Sequence, residues 1–199
     1  MGLRSYFTAD KTEAGCDEAG RGCLAGPVFA AAVIFPKHYD HPAINDSKKL
    51  NVKQRIALRQ VIENAAIAWA VASTMQQEID EINILNASFL AMHRALEKLP
   101  VSPQWILVDG HCFLPFKDIP HSCIIRGDSQ YLSIAAASIL AKTYRDEFME
   151  RIHEEYPLYN WRENKGYATR EHKLAILKYG ITPYHRKSFI IGKQLEMIF

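Results

Sequence analysis

The sequence predicts an α/β fold, a mixed β-sheet flanked by helices, with a helical extension at the C-terminal end. Three observations carry this. Two strand-like runs, residues 13–16 and the apolar run 28–35, are neighbours in the chain with only a short Gly-containing loop between them. The later strand-like runs 67–75, 105–109 and 121–126 come in among helical stretches. Beyond Pro157 the chain reads as a polar loop and a further helix, with no strand. An early adjacent pair with later helix-connected strands implies a mixed sheet with helices on its faces.

Each element follows from its own residues. Glu13 to Cys16 reads as a short strand, and Val28-Phe29-Ala30-Ala31-Ala32-Val33-Ile34-Phe35 as a buried one. Pro36 opens a polar loop that runs to Leu50. Asn51 is placed to cap a helix over 52–64, in which Val52, Ile56, Leu58 and Ile62 mix an apolar stripe with basic positions. Ile67 to Met75 is a third strand, with Trp69, Val71 and Ser73 on one side. A short acidic helix over 76–83 and a longer one over 84–99 follow. In the longer helix Leu85, Phe89, Met92, Leu96 and Leu99 recur at helical spacing and read as core. Pro100 and Pro103 end it. Trp105 to Asp109 is an apolar strand closing on Asp-Gly, and His121 to Arg126 another short strand. From Ser129 a long helix runs to about Tyr156, its early Ala135-Ala136-Ala137-Ser138 and Ala141 small enough for close packing on a sheet. Pro157 breaks it, residues 160–168 read as polar loop, and Thr169 caps a last helix that Gly180 stops.

At 199 residues the chain is one domain, residues 1–156, with 157–199 appended as a helical piece. No apolar run is long enough to span a membrane, and the first residues lack a signal-peptide core, so the cytoplasm is the expected compartment. The four cysteines, Cys16, Cys23, Cys112 and Cys123, lack paired zinc-ligand spacing and read as reduced and mostly buried. A formal net charge of +2 hides an asymmetry. Residues 160–195 carry Arg162, Lys165, Arg170, Lys173, Lys178, Arg186, Lys187 and Lys193 against only Glu163 and Glu171. Such an end suits a polyanion, though a solvated helical surface has the same composition.

The residues with chemistry cluster at strand ends. Asp17-Glu18 stands beside the loop Ala19-Gly20-Arg21-Gly22. Adjacent carboxylates repel, and burying one is costly without a cation. Glycines admit a close-lying ligand, and arginine in that company suits a phosphate. Asp109 ends a strand, where open α/β sheets gather their ligands. Asp128 precedes the long helix, as an N-cap or as a further acid of a site. Taken singly, each acid also reads as a polar turn or capping residue. Four converging acids require divalent metal, and a set with no His or Cys favours Mg²⁺ or Mn²⁺ over zinc. Two such ions about 4 Å apart form a phosphoryl-transfer site.

Over most of its length the chain resembles the bacterial ribonuclease HII family. The resemblance rests on Asp17-Glu18-Ala19-Gly20-Arg21-Gly22 with Ala25-Gly26-Pro27-Val28, then Asp46-Ser47-Lys48-Lys49-Leu50, Val108-Asp109-Gly110 and Gly127-Asp128. It continues through Ala135 to Ile139, Ala141-Lys142, Arg145-Asp146, Lys165-Gly166-Tyr167 with Thr169 and His172, and His185-Arg186 with Ser188-Phe189. It implies a ribonuclease H-like catalytic body over 1–156 and a substrate-binding extension over 157–199. The implied activity is endonucleolytic: cleavage of the RNA strand of RNA–DNA hybrids, and incision 5′ of ribonucleotides embedded in duplex DNA, leaving 3′-hydroxyl and 5′-phosphate ends. Carried over by position, Asp17, Glu18, Asp109 and Asp128 are the catalytic acids and the ligands of two Mn²⁺ or Mg²⁺ ions. Gly20, Arg21 and Gly22 match the loop that reads the 2′-hydroxyl and adjoining phosphates, and Tyr167 matches the tyrosine that stacks on the junction sugar. The 2′-hydroxyl is what distinguishes RNA from DNA locally. Lys48, Lys49, Lys142, Arg145 and the 160–190 basic residues are expected to hold phosphates without reading sequence, with Lys142 and Arg145 alternatively salt-bridged along their helix. A monomer is the default expectation, and residues 190–199 show no clamp-binding motif.

Overall fold

The computed structural model of the chain describes residues 2–47 and 50–190. Five strands, β1 (Glu13–Ala19), β2 (Val28–Ile34), β3 (Ala68–Thr74), β4 (Trp105–Asp109) and β5 (His121–Ile124), form one sheet in the order β3-β2-β1-β4-β5. β1, β2 and β3 pair antiparallel, whereas β4 runs parallel to both β1 and β5. The sheet is mixed, as the element order predicts, because β4 returns to the centre beside β1 after a helical crossover.

Helices α1 (Val52–Ala65) and α3 (Leu132–Glu155) cover one face, and α2 (Gln76–Glu97) covers the other. α1 starts as the sequence indicates: the Asn51 carboxamide accepts from the Gln54 N–H, and the Gln54 side chain accepts in return from the Asn51 N–H. Its apolar stripe is narrower than expected. Leu58 and Ile62 are buried, but Val52 and Ile56 face solvent. The two helices expected over 76–99 form one helix broken at Asn83, where φ is 65° and ψ 165°. The Asn83 side chain accepts from the N–H groups of Leu85 and Asn86, so it recaps the second half. Phe89, Met92, Leu96 and Leu99 are core, but Leu85, in the first turn after the break, is exposed.

α3 lies almost flush on the sheet. Ala135, Ala136, Ala137 and Ala141 are fully buried. Gly15 of β1 makes the close approach possible: a Cβ there would sit 2.5 Å from the Ile134 nitrogen and nearer still to the Ser133 backbone. Gly15→Ala therefore forces α3 off the sheet, and a loss of about 2–3 kcal/mol is expected, read as a lower urea midpoint with an unchanged slope. α3 starts later than the sequence suggests. A 3₁₀ turn, Gly127–Ser129, intervenes, with Arg126 in the left-handed region before it and the N–H groups of Gln130 and Tyr131 donating to the Gly127 carbonyl. Asp128 is thus part of that turn, and Tyr131 is the helix N-cap.

After a second 3₁₀ turn, Pro157–Tyr159, come α4 (Trp161–Asn164), α5 (Arg170–Tyr179) and α6 (Lys187–Ile190). α4 replaces part of the expected polar loop. Four residues between left-handed Asn160 and Lys165 are too few for a readable period, yet they bury Trp161 completely. α5 has the predicted cap, Thr169 accepting from the His172 N–H. These helices share a core with the end of α3 and with the β1–β2 loop: Leu24, Ala25, Met149, Ile152, Tyr159, Trp161, Ala175 and Ile176 pack together. The four cysteines are free, with Cys16 and Cys23 buried. Among the described residues no helix is long and apolar enough to cross a membrane.

Candidate active site

β1 extends three residues further than its sequence pattern suggests, so Asp17 and Glu18 lie within the strand. The pleat then separates them, because successive side chains point to opposite faces. Gly15 meets α3, and Cys16 belongs to the α2 core. By the same alternation Asp17 takes the α3 side and Glu18 the other. Register brings Asp17 its neighbour. Cys16 stands opposite Val108 in the parallel β1–β4 pair, so one step further Asp17 and Asp109 end side by side. Asp109 accepts a 2.7 Å hydrogen bond from the Gly127 N–H, which ties this strand end to the turn holding Asp128. Asp17, Asp109 and Asp128 offer carboxylate oxygens that all lie within 4.8 Å of one another.

Burial, and then repulsion from Glu18 and Asp109, holds the Asp17 carboxyl well above the usual carboxylate range. The Ser138 hydroxyl and the Glu18 N–H, 2.7 Å away, offset this only in part. Burial also raises Glu18, against the pull of Arg21, whose Nη1 lies 3.2 Å from Glu18 Oε1. The fourth expected acid is therefore close by but turned to Arg21, outside the tight trio. A trio of hard oxygen donors, with burial and acidic neighbours disfavouring the charge on Asp17, fits a divalent cation. Among the described residues it is the one His/Cys/Asp/Glu group with that geometry.

Asp17, Glu18 and Asp109 open into a cleft of about 260 Å³ lined also by Gly20, Arg21, Gly22, Ser47, Arg55, Ser138, Lys142 and Tyr167. Gly20 has φ +100°, and a Cβ there would strike the Arg145 guanidinium, so glycine is required at this point. The loop is anchored from below. Arg186 donates to the carbonyls of Gly26 (2.9 Å), Arg21 (2.8 Å) and Gly20 (2.7 Å). Arg145 donates to those of Pro27 (3.0 Å), Lys165 (2.9 Å) and Ala25 (3.1 Å). Both guanidiniums are fully buried. This corrects the expectation that Arg145 and Arg186 hold phosphates: their donors are spent on the protein's own backbone. Arg162 and Lys165 likewise pair with Glu154 and Glu150 of α3. The charge asymmetry of the C-terminal part thus overstates what it presents to a polyanion.

Lys142 lines the cleft and donates to Asp146 at 2.6 Å, so it is both salt-bridged and at the site. Tyr167 stands on the rim with 43% of its surface exposed, its backbone bridged to Cys23 beside the glycine loop. Lys48 and Lys49 lie outside the described residues. Sequence reasoning missed Arg55 and the role of Ser138. Arg55 donates to the carbonyls of Ser47 and Leu50, and Ser138 meets the Ser47 hydroxyl at 2.9 Å. The available signal for Arg55 was its place in the first turn of α1, facing the Asp46–Leu50 loop.

Comparison with known proteins shows the family. The family model for ribonuclease HII matches residues 14–191. Ribonuclease HII of Bacteroides thetaiotaomicron (strain ATCC 29148) is 62% identical over 99% of this chain and 100% of that protein. The crystal structure of ribonuclease H2 from Pyrococcus horikoshii OT3 superposes with a TM-score of 0.74 at 27% identity, covering 89% of this chain and 93% of that one. An Archaeoglobus fulgidus RNase HII, solved as a PCNA:RNase HII complex, gives a TM-score of 0.73 at 25% identity over 88% of this chain and 94% of that one. With its acids at the ends of β1 and β4 and in the turn before α3, and with this match along nearly its whole length, the chain belongs to the ribonuclease HII family.

Proposed function

We propose that this metal-dependent ribonuclease H incises duplex DNA on the 5′ side of an embedded ribonucleotide as well as cutting RNA–DNA hybrids. The convergence of Asp17, Asp109 and Asp128 beside a glycine loop and an exposed tyrosine is the observation that carries the reading. Water adds to phosphorus as the bond to the 3′ oxygen breaks, and that oxygen leaves with a proton, giving 3′-hydroxyl and 5′-phosphate ends. Asp17, Asp109 and Asp128, with Glu18 beside them, would hold two Mn²⁺ or Mg²⁺ ions. When bound, the ions supply positive charge to the attacking and leaving oxygens.

The chain's own residues position the substrate. Arg186 keeps the Gly20 and Arg21 carbonyls turned inward, so these dipoles do not oppose an incoming phosphate. The Gly20-Arg21-Gly22 backbone can then lie close to the 2′-hydroxyl. The Tyr167 ring packs on the following sugar and disfavours a second 2′-hydroxyl by shape. Lys142 and Lys48 meet phosphates, and residues 157–199 serve as the substrate-binding extension. A monomeric, cytoplasmic enzyme belongs to the same proposal. PCNA is the partner of the archaeal protein; residues 191–199, on which the expectation of no clamp motif rests, lie outside the described residues.

A DNA duplex with one internal ribonucleotide, incubated with Mg²⁺, Mn²⁺ or chelator, tests this. Metal-dependent incision 5′ of the ribonucleotide is expected, with all-DNA duplex uncut. Tyr167→Ala is expected to lose about 10–100-fold on that substrate, the stacking of one ring being worth roughly 1–3 kcal/mol, while retaining hybrid cleavage. Cleavage of continuous hybrids alone would remove the junction-reading roles of Tyr167 and the glycine loop.

A further inference from the structure

Behind the Tyr167 ring lies a buried polar chain that the catalytic reading does not use. His172, fully buried in the first turn of α5, and His185, almost as buried, meet through their Nε2 atoms at 3.2 Å. Trp161 Nε1 lies 3.0 Å from the same His172 Nε2. His172 Nδ1 lies 2.8 Å from the Tyr167 carbonyl, and His185 Nδ1 lies 2.9 Å from the Thr182 nitrogen.

Obligate donors and acceptors leave one arrangement of protons. The Thr182 N–H can only donate, so His185 Nδ1 is bare and its proton sits on Nε2, donated to His172. The Trp161 indole can only donate, so His172 Nε2 accepts from both. His172 then carries its proton on Nδ1 and donates it to the Tyr167 carbonyl, which can only accept. Both ends of the chain demand the same tautomers, and both rings must be neutral. A proton on His172 Nε2 would face two N–H groups, and one on His185 Nδ1 would face the Thr182 amide.

We infer that His172 and His185 are positioning residues for Tyr167, a neutral imidazole pair that holds the backbone directly behind the ring on the cleft rim. The inference rests on the junction-reading role proposed for that ring. The chain also spans the segments that grip the glycine loop, because Tyr167 is bridged to Cys23 and His185 to Ala25. Burial favours the neutral form of both rings: it lowers His172, and together with repulsion from His172 it lowers His185 to about 4. Glu171 is the charged side chain acting on His172, and it opposes the lowering. The rings facing the pair, Tyr159 at 5.0 Å from His185 and Trp161 at 5.3 Å, are neutral at working pH. The sign follows. An unfolded histidine takes up its proton near pH 6.5, whereas folded His185 refuses it until about 4. Support from the pair is complete above pH 6.5 and is lost as pH falls from there toward 4.

The test uses the full chain with Mg²⁺ and two substrates, single-ribonucleotide duplex and continuous hybrid. His172→Phe keeps a ring and removes the donor; His172→Asn keeps a carboxamide N–H for the Tyr167 carbonyl. Expected for His172→Phe is a KM about tenfold higher on the single-ribonucleotide duplex, with hybrid kcat within about twofold of wild type. His172→Asn is expected to restore most of the loss. Nitrogen-15 NMR of the unsubstituted protein at pH 6 should show His172 protonated on Nδ1, His185 on Nε2, and both neutral. Other tautomers, a charged ring at pH 6, or equal losses on both substrates without rescue by His172→Asn overturn the inference. Tyr167→Ala separates the two levels. An unchanged substrate ratio there removes the ring's role and the inference with it. A changed ratio there with an unchanged one in His172→Phe removes the positioning role alone.

Discussion

Asp17→Asn is expected to lower kcat about a thousandfold or more and, without divalent metal, to raise the melting temperature. Both effects have one cause. Asp17 is buried against Asp109 and beside Glu18, and its carboxyl is held well above the usual range. The unfolded chain releases this proton near pH 3.8, whereas burial and the neighbouring acids make the folded metal-free protein hold it to higher pH. Folding therefore loses stability as pH rises from 3.8 through the raised folded value. Asparagine keeps the shape and removes the charge, so the metal-free variant escapes that loss. For a chain of this length each kcal/mol recovered raises the midpoint by about 2–4 °C. Adding Mg²⁺ or Mn²⁺ should stabilise the wild type strongly, because the cation binds the folded trio alone, and should leave the variant nearly unmoved. Thermal melts of both proteins with chelator and with metal read this directly. A metal-free Asp17→Asn protein that melts below the wild type would sink the electrostatic account of the site.

Arg186→Ala is expected to cost about 3–5 kcal/mol, among the largest losses open to a single substitution in this chain. The guanidinium is fully buried and donates to the carbonyls of Gly20, Arg21 and Gly26. Burial lowers it to about 10, so it remains charged at neutral pH. Removing it leaves buried carbonyls without donors, and hydrogen bonds to charged groups contribute about 1.5–3 kcal/mol each. Arg186→Lys recovers only part, because an ammonium cannot reproduce the planar fork. Guanidinium chloride titration measures the loss. Limited proteolysis should place new cleavage in residues 20–26, since those carbonyls lose their anchor first. A midpoint within about 1 kcal/mol of wild type would mean the loop is held by its backbone bridges, with Arg186 redundant.

Several elements were legible because local chemistry decides them. The Asn51 cap, the Asn83 break, the Thr169 cap and the Gly180 stop are set by residues within four positions of one another. The mixed sheet was legible from element order, since neighbouring strands pair directly and distant ones need crossovers. α4 was not, because four residues show no period and Trp161 is buried by partners far along the chain. The late start of α3 was hidden because Asp128 before a helix suits an N-cap as well as a turn, and the left-handed Arg126, the bonds to the Gly127 carbonyl and the Asp109–Gly127 bond form only in the fold.

The sequence by itself offered the acids, the glycine loop and the tyrosine as candidates and marked the family, because chemistry that needs particular residue types leaves them in the chain. The tertiary structure decided their arrangement. Strand register set Asp17 beside Asp109, the pleat turned Glu18 toward Arg21, and the fold drew Arg145 and Arg186 inward to the backbone. Charge can be counted along a chain. Whether a guanidinium meets a phosphate or a buried carbonyl depends on the burial and partners that only three-dimensional packing supplies.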